Sequence, residues 1–263
     1  MPENDLDLLV AAARRAGDIA LTYFQNDPDV THKPDGAGPV TAADLAVNVM
    51  LEMSLQQARP DYGWLSEETE DGPARLATTR QFVIDPIDGT RAFIEGSKDW
   101  AHSLAIVENG TPVEAAIYLP MRNLMFAASK GKGATLNGGP ISVTGAAMDN
   151  ATVLATRRNF DPHFWQDGMT PPVKRAFRSS LAYRLGLVAQ GRFDAMLTLR
   201  PSWEWDIAAG ALIIAEAGGV VTDQHGGSLQ FNNPHPQVPG VLAGGAGLHA
   251  DLLARLEQPA TKP

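Results

Sequence analysis

The chain has no cysteine in 263 residues. That excludes a disulfide framework, a thiolate nucleophile and any cysteine zinc site. Positive charge is also scarce: 21 Lys and Arg stand against 30 Asp and Glu, for a formal net charge of −9. Such a balance argues against nucleic acid or a membrane surface as partner. No apolar run is long enough to span a bilayer. The opening residues, MPENDLDLL, lack the basic start and apolar middle of a signal peptide. A soluble cytoplasmic protein is therefore expected. With 44% hydrophobic residues and no low-complexity stretch, the chain can bury a large core, as one domain or two closely packed halves.

What is present alternates helix and strand. Leu6, Leu9, Val10, Ala13, Gly17, Ala20 and Phe24 recur at helical spacing and predict an amphipathic helix over 5–24. THKPDGAGP reads as a loop, with Thr41 as N-cap of a second helix, AADLAVNVMLEMSLQQA. SLAIVENGTPVEAAIY predicts a hairpin turning at Asn109-Gly110. MFAAS and GATLNG add strand and turn. Beyond about residue 145, SSLAYRLGLVAQG and WDIAAGALIIAEAGG read as helices, the second stopped by Gly218 and Gly219. VVTD and GVLAG read as strands, GLHADLLARLEQ as a last helix, and 159–172 as a long irregular segment. The expected organisation is an α+β half over 1–145 with an antiparallel sheet, then an α/β half over 146–263 with a mixed sheet, packed as one unit.

The chemistry concentrates at VIDPIDGTRAF, residues 83–93. An apolar strand runs into Asp85, a proline and a second carboxylate, Asp88. Two aspartates so close repel each other and raise each other's pKa unless something positive lies between them. A hard divalent cation is the simplest answer, since it takes oxygens from carboxylates and carbonyls. A tight turn at Pro86 lets Asp85, the Ile87 carbonyl and Asp88 face one point. Gly89 turns the backbone, and the amides of Gly89 and Thr90 open a helix whose N-terminus suits a phosphate. The competing reading is plain turn chemistry, because Asp-Pro and Asp-Gly are common turn dipeptides. LSEET places Glu67 and Glu68 after a second apolar pair, where a solvated loop is the alternative. Asp206 in WEWDIAAG and Asp44 in PVTAAD stand at helix starts, where capping alone accounts for them.

Taken together, DPIDGT, WDIAAG followed by EAGG, the upstream Glu-Glu pair and PVTAAD resemble the inositol monophosphatase family, in order and spacing along nearly the whole chain. The resemblance implies an αβαβα five-layer sandwich and a Mg²⁺-dependent, lithium-sensitive phosphomonoesterase holding two or three ions. By motif position it assigns metal binding to Glu67, Asp85, Ile87 (through its carbonyl), Asp88 and Asp206. Thr90 would help Glu67 orient the attacking water, Asp44 would stand behind a weaker metal position, and Glu68 would support Glu67. Substrate contacts would fall on Asp88, Gly89 and Thr90.

Members of the family that act on inositol phosphates carry a glutamate several residues before the WD aspartate. Here that stretch is LTLRPSWEWD, with Leu199 and Arg200 at the position and Glu204 as a candidate substitute. SEE, PVTAAD and SSLAYRLGLVAQG look more like the 3'(2'),5'-bisphosphate nucleotidases, and Arg200 is then expected to meet a second phosphate. Inositol 1-phosphate and histidinol phosphate are the alternative substrates, and a phosphate-binding pseudoenzyme is the non-enzyme alternative. A small phosphate ester is the expected partner, and the sequence leaves a homodimer open. His102 is expected to be half-buried on a strand. His163 and Trp165 are open between a substrate contact and a subunit contact.

Overall fold

The computed structural model describes residues 4–26, 29–33 and 38–257. Helix α1 (Asp5–Tyr23) leads through a short hairpin, β1 (Val30–His32) and β2 (Pro39–Thr41), into α2 (Ala42–Ala58). The stretch expected to be a loop thus has strands at its two ends, with 34–37 outside the described residues. Thr41 caps α2 as its sequence predicts: its backbone N–H donates to Asp44 Oδ2 at 2.9 Å while its hydroxyl accepts from the Asp44 N–H.

A seven-stranded sheet follows, β3 (Gly63–Ser66), β4 (Arg80–Asp88), β5 (Ala101–Glu108), β6 (Thr111–Leu119), β7 (Leu124–Ser129), β8 (Ala134–Leu136) and β9 (Gly139–Pro140), in that spatial order. Only β3–β4 is parallel. The β5–β6 turn uses Asn109 and Gly110 at φ 49° and 79°, the left-handed pair that a two-residue hairpin requires. Between β4 and β5 lies the short helix α3 (Thr90–Ile94).

The rest of the chain gives β10 (Thr152–Leu154), β11 (Lys174–Ala176), α4 (Leu181–Ala189), β12 (Ala195–Thr198), β13 (Ser202–Trp203), α5 (Glu204–Glu216), β14 (Val220–Thr222), β15 (Gln237–Val238), β16 (Val241–Gly244) and α6 (Ala246–Leu253). The second sheet runs β11-β10-β12-β16-β14 and is mixed, with β10 parallel to both neighbours and β16 antiparallel to both of its own. The last helix ends at Leu253, short of the predicted 258, because Leu256 instead bridges to Trp165.

Strand alternation builds the layers. Phe82 and Ile84 face α1 and α2, whose Leu9, Ala13, Ala16, Val47, Leu51 and Leu55 complete one core. Val83, Ala105 and Ile117 face the other way, onto α4 and α5, which also cover Met196 and Ala243 of the second sheet. Beyond that sheet, Val153, Leu197 and Leu242 meet Leu248 and Leu252 of α6, together with Trp165. The order is helix, sheet, helix, sheet, helix: the five layers expected. Among the described residues no helix is long and apolar enough to cross a membrane.

The central layer is tight. A Cβ added at Gly210 of α5 would lie 2.3 Å from Leu185 Cδ1 and 2.6 Å from Leu185 Cβ on α4. Since Leu185 Cβ cannot rotate away, relief requires the helices to separate. Gly210→Ala should therefore destabilise the fold by about 1–3 kcal/mol despite alanine's better helix propensity. Denaturant unfolding checks this; an unchanged or raised midpoint would contradict the packing described.

Candidate active site

Beyond Asp85↔Ser103 the β4–β5 register slips, and the next pair is Asp88↔Ala101. Three steps on β4 oppose two on β5, so Pro86 and Ile87 form a bulge. Proline suits it, having no N–H to give to the ladder. His102, buried rather than half-buried, sets its Nδ1 2.5 Å from the Pro86 carbonyl oxygen. Gly89 then takes φ 100°, and a side chain there would press on the Asp99 carbonyl at 3.2 Å. Thr90 Oγ1 lies 3.2 Å from both the Ile87 carbonyl and Asp44 Oδ1.

Helix α5 brings the third carboxylate. Asp206 is not the helix cap: Trp203 holds that position and Asp206 falls in the first turn. Its carboxylate joins those of Asp85 and Asp88, with ligand oxygens all within 4.8 Å of one another. Burial, then the charges of its neighbours Glu67, Asp88 and Asp206, push the Asp85 carboxyl well above the usual range. Asp206 is driven up in the same way. Asp88 rises to about 6, with burial outweighing the Ser180 hydroxyl and Ala182 N–H that donate to its Oδ2 at 2.5 and 2.6 Å. Asp85 Oδ1 is buried with no hydrogen-bond partner among the described residues. A cation is what such a group lacks, and an all-oxygen donor set without His or Cys fits a hard ion such as Mg²⁺.

Glu67 and Glu68 follow β3, held by the Glu67 N–H donating to the Ile84 carbonyl at 3.2 Å. Lys33 Nζ donates to both carboxylates, at 2.8 and 2.7 Å. Burial and then the Glu67 charge raise Glu68 to about 7. Glu67 is the more open of the two, with 23% of its side chain exposed against 3%. Glu68 is thus the more buried of the pair and shares Lys33 with Glu67. Asp44 is fully buried, and burial lifts it to about 6.

Two sequence expectations are corrected. Glu204 does not substitute for the missing polyol-binding acid: it is buried, accepting from the N–H groups of Asn232 and Asn233 at 2.6 and 2.9 Å and from Asn233 Nδ2 at 2.7 Å. Trp165 is neither a substrate nor a surface residue; it is 1% exposed, in the outer core, and its Nε1–H donates to the Asn159 carbonyl at 3.0 Å. His163 is exposed, and its ring lies tilted at 41° against Phe164, centroids 4.0 Å apart. Leu199 packs into the outer core, whereas Arg200 acts electrostatically on Asp206 and on Arg184.

Three groups near the acids escape the sequence reading: Lys33, Ser180 and Arg184. Arg184 had a signal, a lone cation inside the apolar run LAYRLGLVA. It is 4% exposed, its Nε–H donates to the Arg178 carbonyl at 2.6 Å, and its guanidinium covers the Phe177 ring at 4.6 Å. Burial lowers its pKa to about 10, opposed by the nearby Asp88. Lys33, in a loop rich in turn residues, carries no such mark.

Comparison with known proteins agrees with this architecture. The family model described as the inositol monophosphatase family matches residues 1–260. The protein named Nus factor SuhB from Xylella fastidiosa is 34% identical over 259 residues, covering 93% of this chain and 91% of its own. Its namesake from Escherichia coli K12 is 33% identical over 233 residues, with 84% and 86% covered. Among solved structures, the Thermotoga maritima IMPase superposes with a TM-score of 0.81 at 28% identity, over 95% of each chain. The extragenic suppressor protein suhB from Bartonella henselae does so at 0.81 and 27%, over 94% and 96%. Layered fold, acidic cluster and full-length match converge, and the chain belongs to the inositol monophosphatase family of metal-dependent phosphoric monoester hydrolases.

Proposed function

We propose that this phosphatase prefers an ester carrying a second anionic group, with 3'-phosphoadenosine 5'-phosphate as substrate and AMP and phosphate as products. One observation carries the reading: two guanidinium groups, Arg184 and Arg200, bear on Asp206, with Arg184 also bearing on Asp88, while the acid that would bind a polyol is missing. A guanidinium fork pairs with phosphate far better than with hydroxyls. The runner-up is an inositol 1-phosphate or histidinol phosphate phosphatase, for which the likeness to the Thermotoga maritima IMPase speaks.

In this mechanism Glu67, Asp85, the Ile87 carbonyl, Asp88 and Asp206 would hold two or three Mg²⁺ ions, which supply charge neutralisation on the phosphate and a lowered pKa for water. The chain's own part is to position. Thr90, with its hydroxyl proton directed to Asp44, keeps oxygen lone pairs to accept from the attacking water, and Glu67 accepts the second proton. Water oxygen bonds to phosphorus as Glu67 takes one water proton, the ester P–O bond breaks, and that proton, passed on through solvent, goes to the departing alkoxide. The first amides of α3, at Gly89 and Thr90, would receive the phosphate oxygens. Inhibition by lithium belongs to the same proposal.

Asp206→Asn keeps the shape of the cluster and removes one charge. Turnover should fall by about three orders of magnitude, and the rise in melting temperature that Mg²⁺ gives wild type should shrink with it. Near-normal phosphate release at saturating Mg²⁺ would refute the ligand role.

Without metal, the protein should lose stability as pH rises. Asp44 and Asp88, at about 6, and Glu68, at about 7, bind protons more tightly folded than unfolded. Their contribution is complete below about pH 4, the unfolded carboxylate range, and disappears as pH passes through 6 to 7. In EDTA the melting temperature should thus be higher at pH 5.5 than at pH 8. Mg²⁺ needs ionised ligands, so its stabilisation should be larger at pH 8. The reverse order in either comparison would count against a shared ion site.

For substrate choice, kcat/KM should favour 3'-phosphoadenosine 5'-phosphate over inositol 1-phosphate, and Arg200→Ala should cut that preference about tenfold or more, in line with losing a charge-assisted contact. A wild type that prefers inositol 1-phosphate overturns the reading. A preference untouched by Arg200→Ala removes its stated cause.

A further inference from the structure

His102 is fully buried in the middle of the first sheet and has no role in the chemistry described above. Its imidazole is clamped edge-on by Trp100, ring centres 5.5 Å apart, and flanked by Tyr118 at 6.4 Å. Nδ1 lies 2.5 Å from the Pro86 carbonyl oxygen, which can only accept, so Nδ1 carries the proton. Burial depresses the ring's pKa to about 4, and it stays neutral near physiological pH. Nε2 is then a buried acceptor, and it has no partner among the described residues. An unpaired buried acceptor destabilises a fold, and a leucine or valine here would avoid it. The imidazole is therefore a stability liability, so its use must be sought in the one bond it makes.

That bond fixes the turn. The Pro86 oxygen belongs to the rigid peptide plane linking Pro86 to Ile87. Pro86 and Ile87 are also the two bulged residues, lying between the last regular ladder pair, Asp85↔Ser103, and the slipped pair Asp88↔Ala101. Ladder pairing does not hold that plane at the bulge. Its rotation would swing the Ile87 carbonyl and reset the direction from which Asp88 starts. We propose that His102 is a positioning residue for the ion site: it locks the Pro86–Ile87 peptide plane so that Asp85, the Ile87 carbonyl and Asp88 converge on one point. The inference rests on the metal-dependent reading of the cluster and assigns that site a support two residues long, one from each strand.

The test is calorimetric titration of Mg²⁺ alone into wild type, His102→Leu and His102→Asn, with the melting temperature of each metal-free protein measured alongside. Asparagine can offer its Nδ2–H from the place of Nδ1, whereas leucine cannot. Mg²⁺ affinity should fall about 10–100-fold in the leucine variant, as for other supports of metal ligands, and stay within about threefold of wild type in the asparagine variant. If the leucine variant does not fold, His102→Val takes its place with the same expectation. Wild-type Mg²⁺ affinity in the apolar variant, or equal loss in both, overturns the proposal, even where the metal-free melting temperature drops. A wild type that itself gives neither heat nor thermal shift with Mg²⁺ overturns the metal-site reading, and the inference with it.

Discussion

Carboxylates forced together in a buried place are the constraint on which the rest of this structure depends. Asp85, Asp88 and Asp206 come from two elements more than a hundred residues apart in sequence and still bring oxygens within 4.8 Å of one another. Left to themselves, charges so close in a dry setting separate or take up protons. The layers prevent separation. Strand β4 is buried from Gln81 to Asp88, with helices packed on both faces, and α5 is wedged between two sheets. Protonation is the remaining response, and the raised pKa values of Asp85, Asp88 and Asp206 record it. Packing thus holds together a cluster of acids whose charge protons or a cation must balance.

Two helix N-termini address that charge from one side. Asp88 Oδ2 receives the Ser180 hydroxyl and the Ala182 N–H at the start of α4, and Asp206 lies in the first turn of α5. Each helix end favours an anion by roughly 0.3–1 kcal/mol, up to about 2 in buried geometry. Burial of a carboxylate costs more than that, which is why both groups still titrate high. Helix ends therefore offset part of the burial cost and leave both pKa values raised.

The sequence made local features legible and hid convergent ones. Thr41 with Asp44, and Asn109 with Gly110, are decided by neighbours in the chain, and each forms as its sequence predicts. The family motifs likewise marked the three clustered aspartates. Glu204 shows the limit: two residues from Asp206 it looks available to a substrate, yet its partners, Asn232 and Asn233, lie almost thirty residues away and nothing local announces them. Trp165 is similar, an aromatic in an irregular segment that becomes core only once α6 and the second sheet close over it. His102 was visible as a strand histidine, but its depth depends on two helices and a neighbouring strand.

Cations divide the site by chemistry. Lys33, a compact ammonium, bridges Glu67 and Glu68. Arg184 and Arg200, with planar guanidinium groups, act electrostatically on Asp206. Lysine can trade carboxylate partners with little geometric penalty, while a guanidinium rewards one planar match. Arg184 in particular is pinned by the Arg178 carbonyl and the Phe177 ring, so its guanidinium is held in one orientation. Preorganisation of this kind lowers the ordering cost of binding an anion, and on a chain of net charge −9 a fixed cation at a point of contact outweighs a diffuse negative surface that salt largely screens.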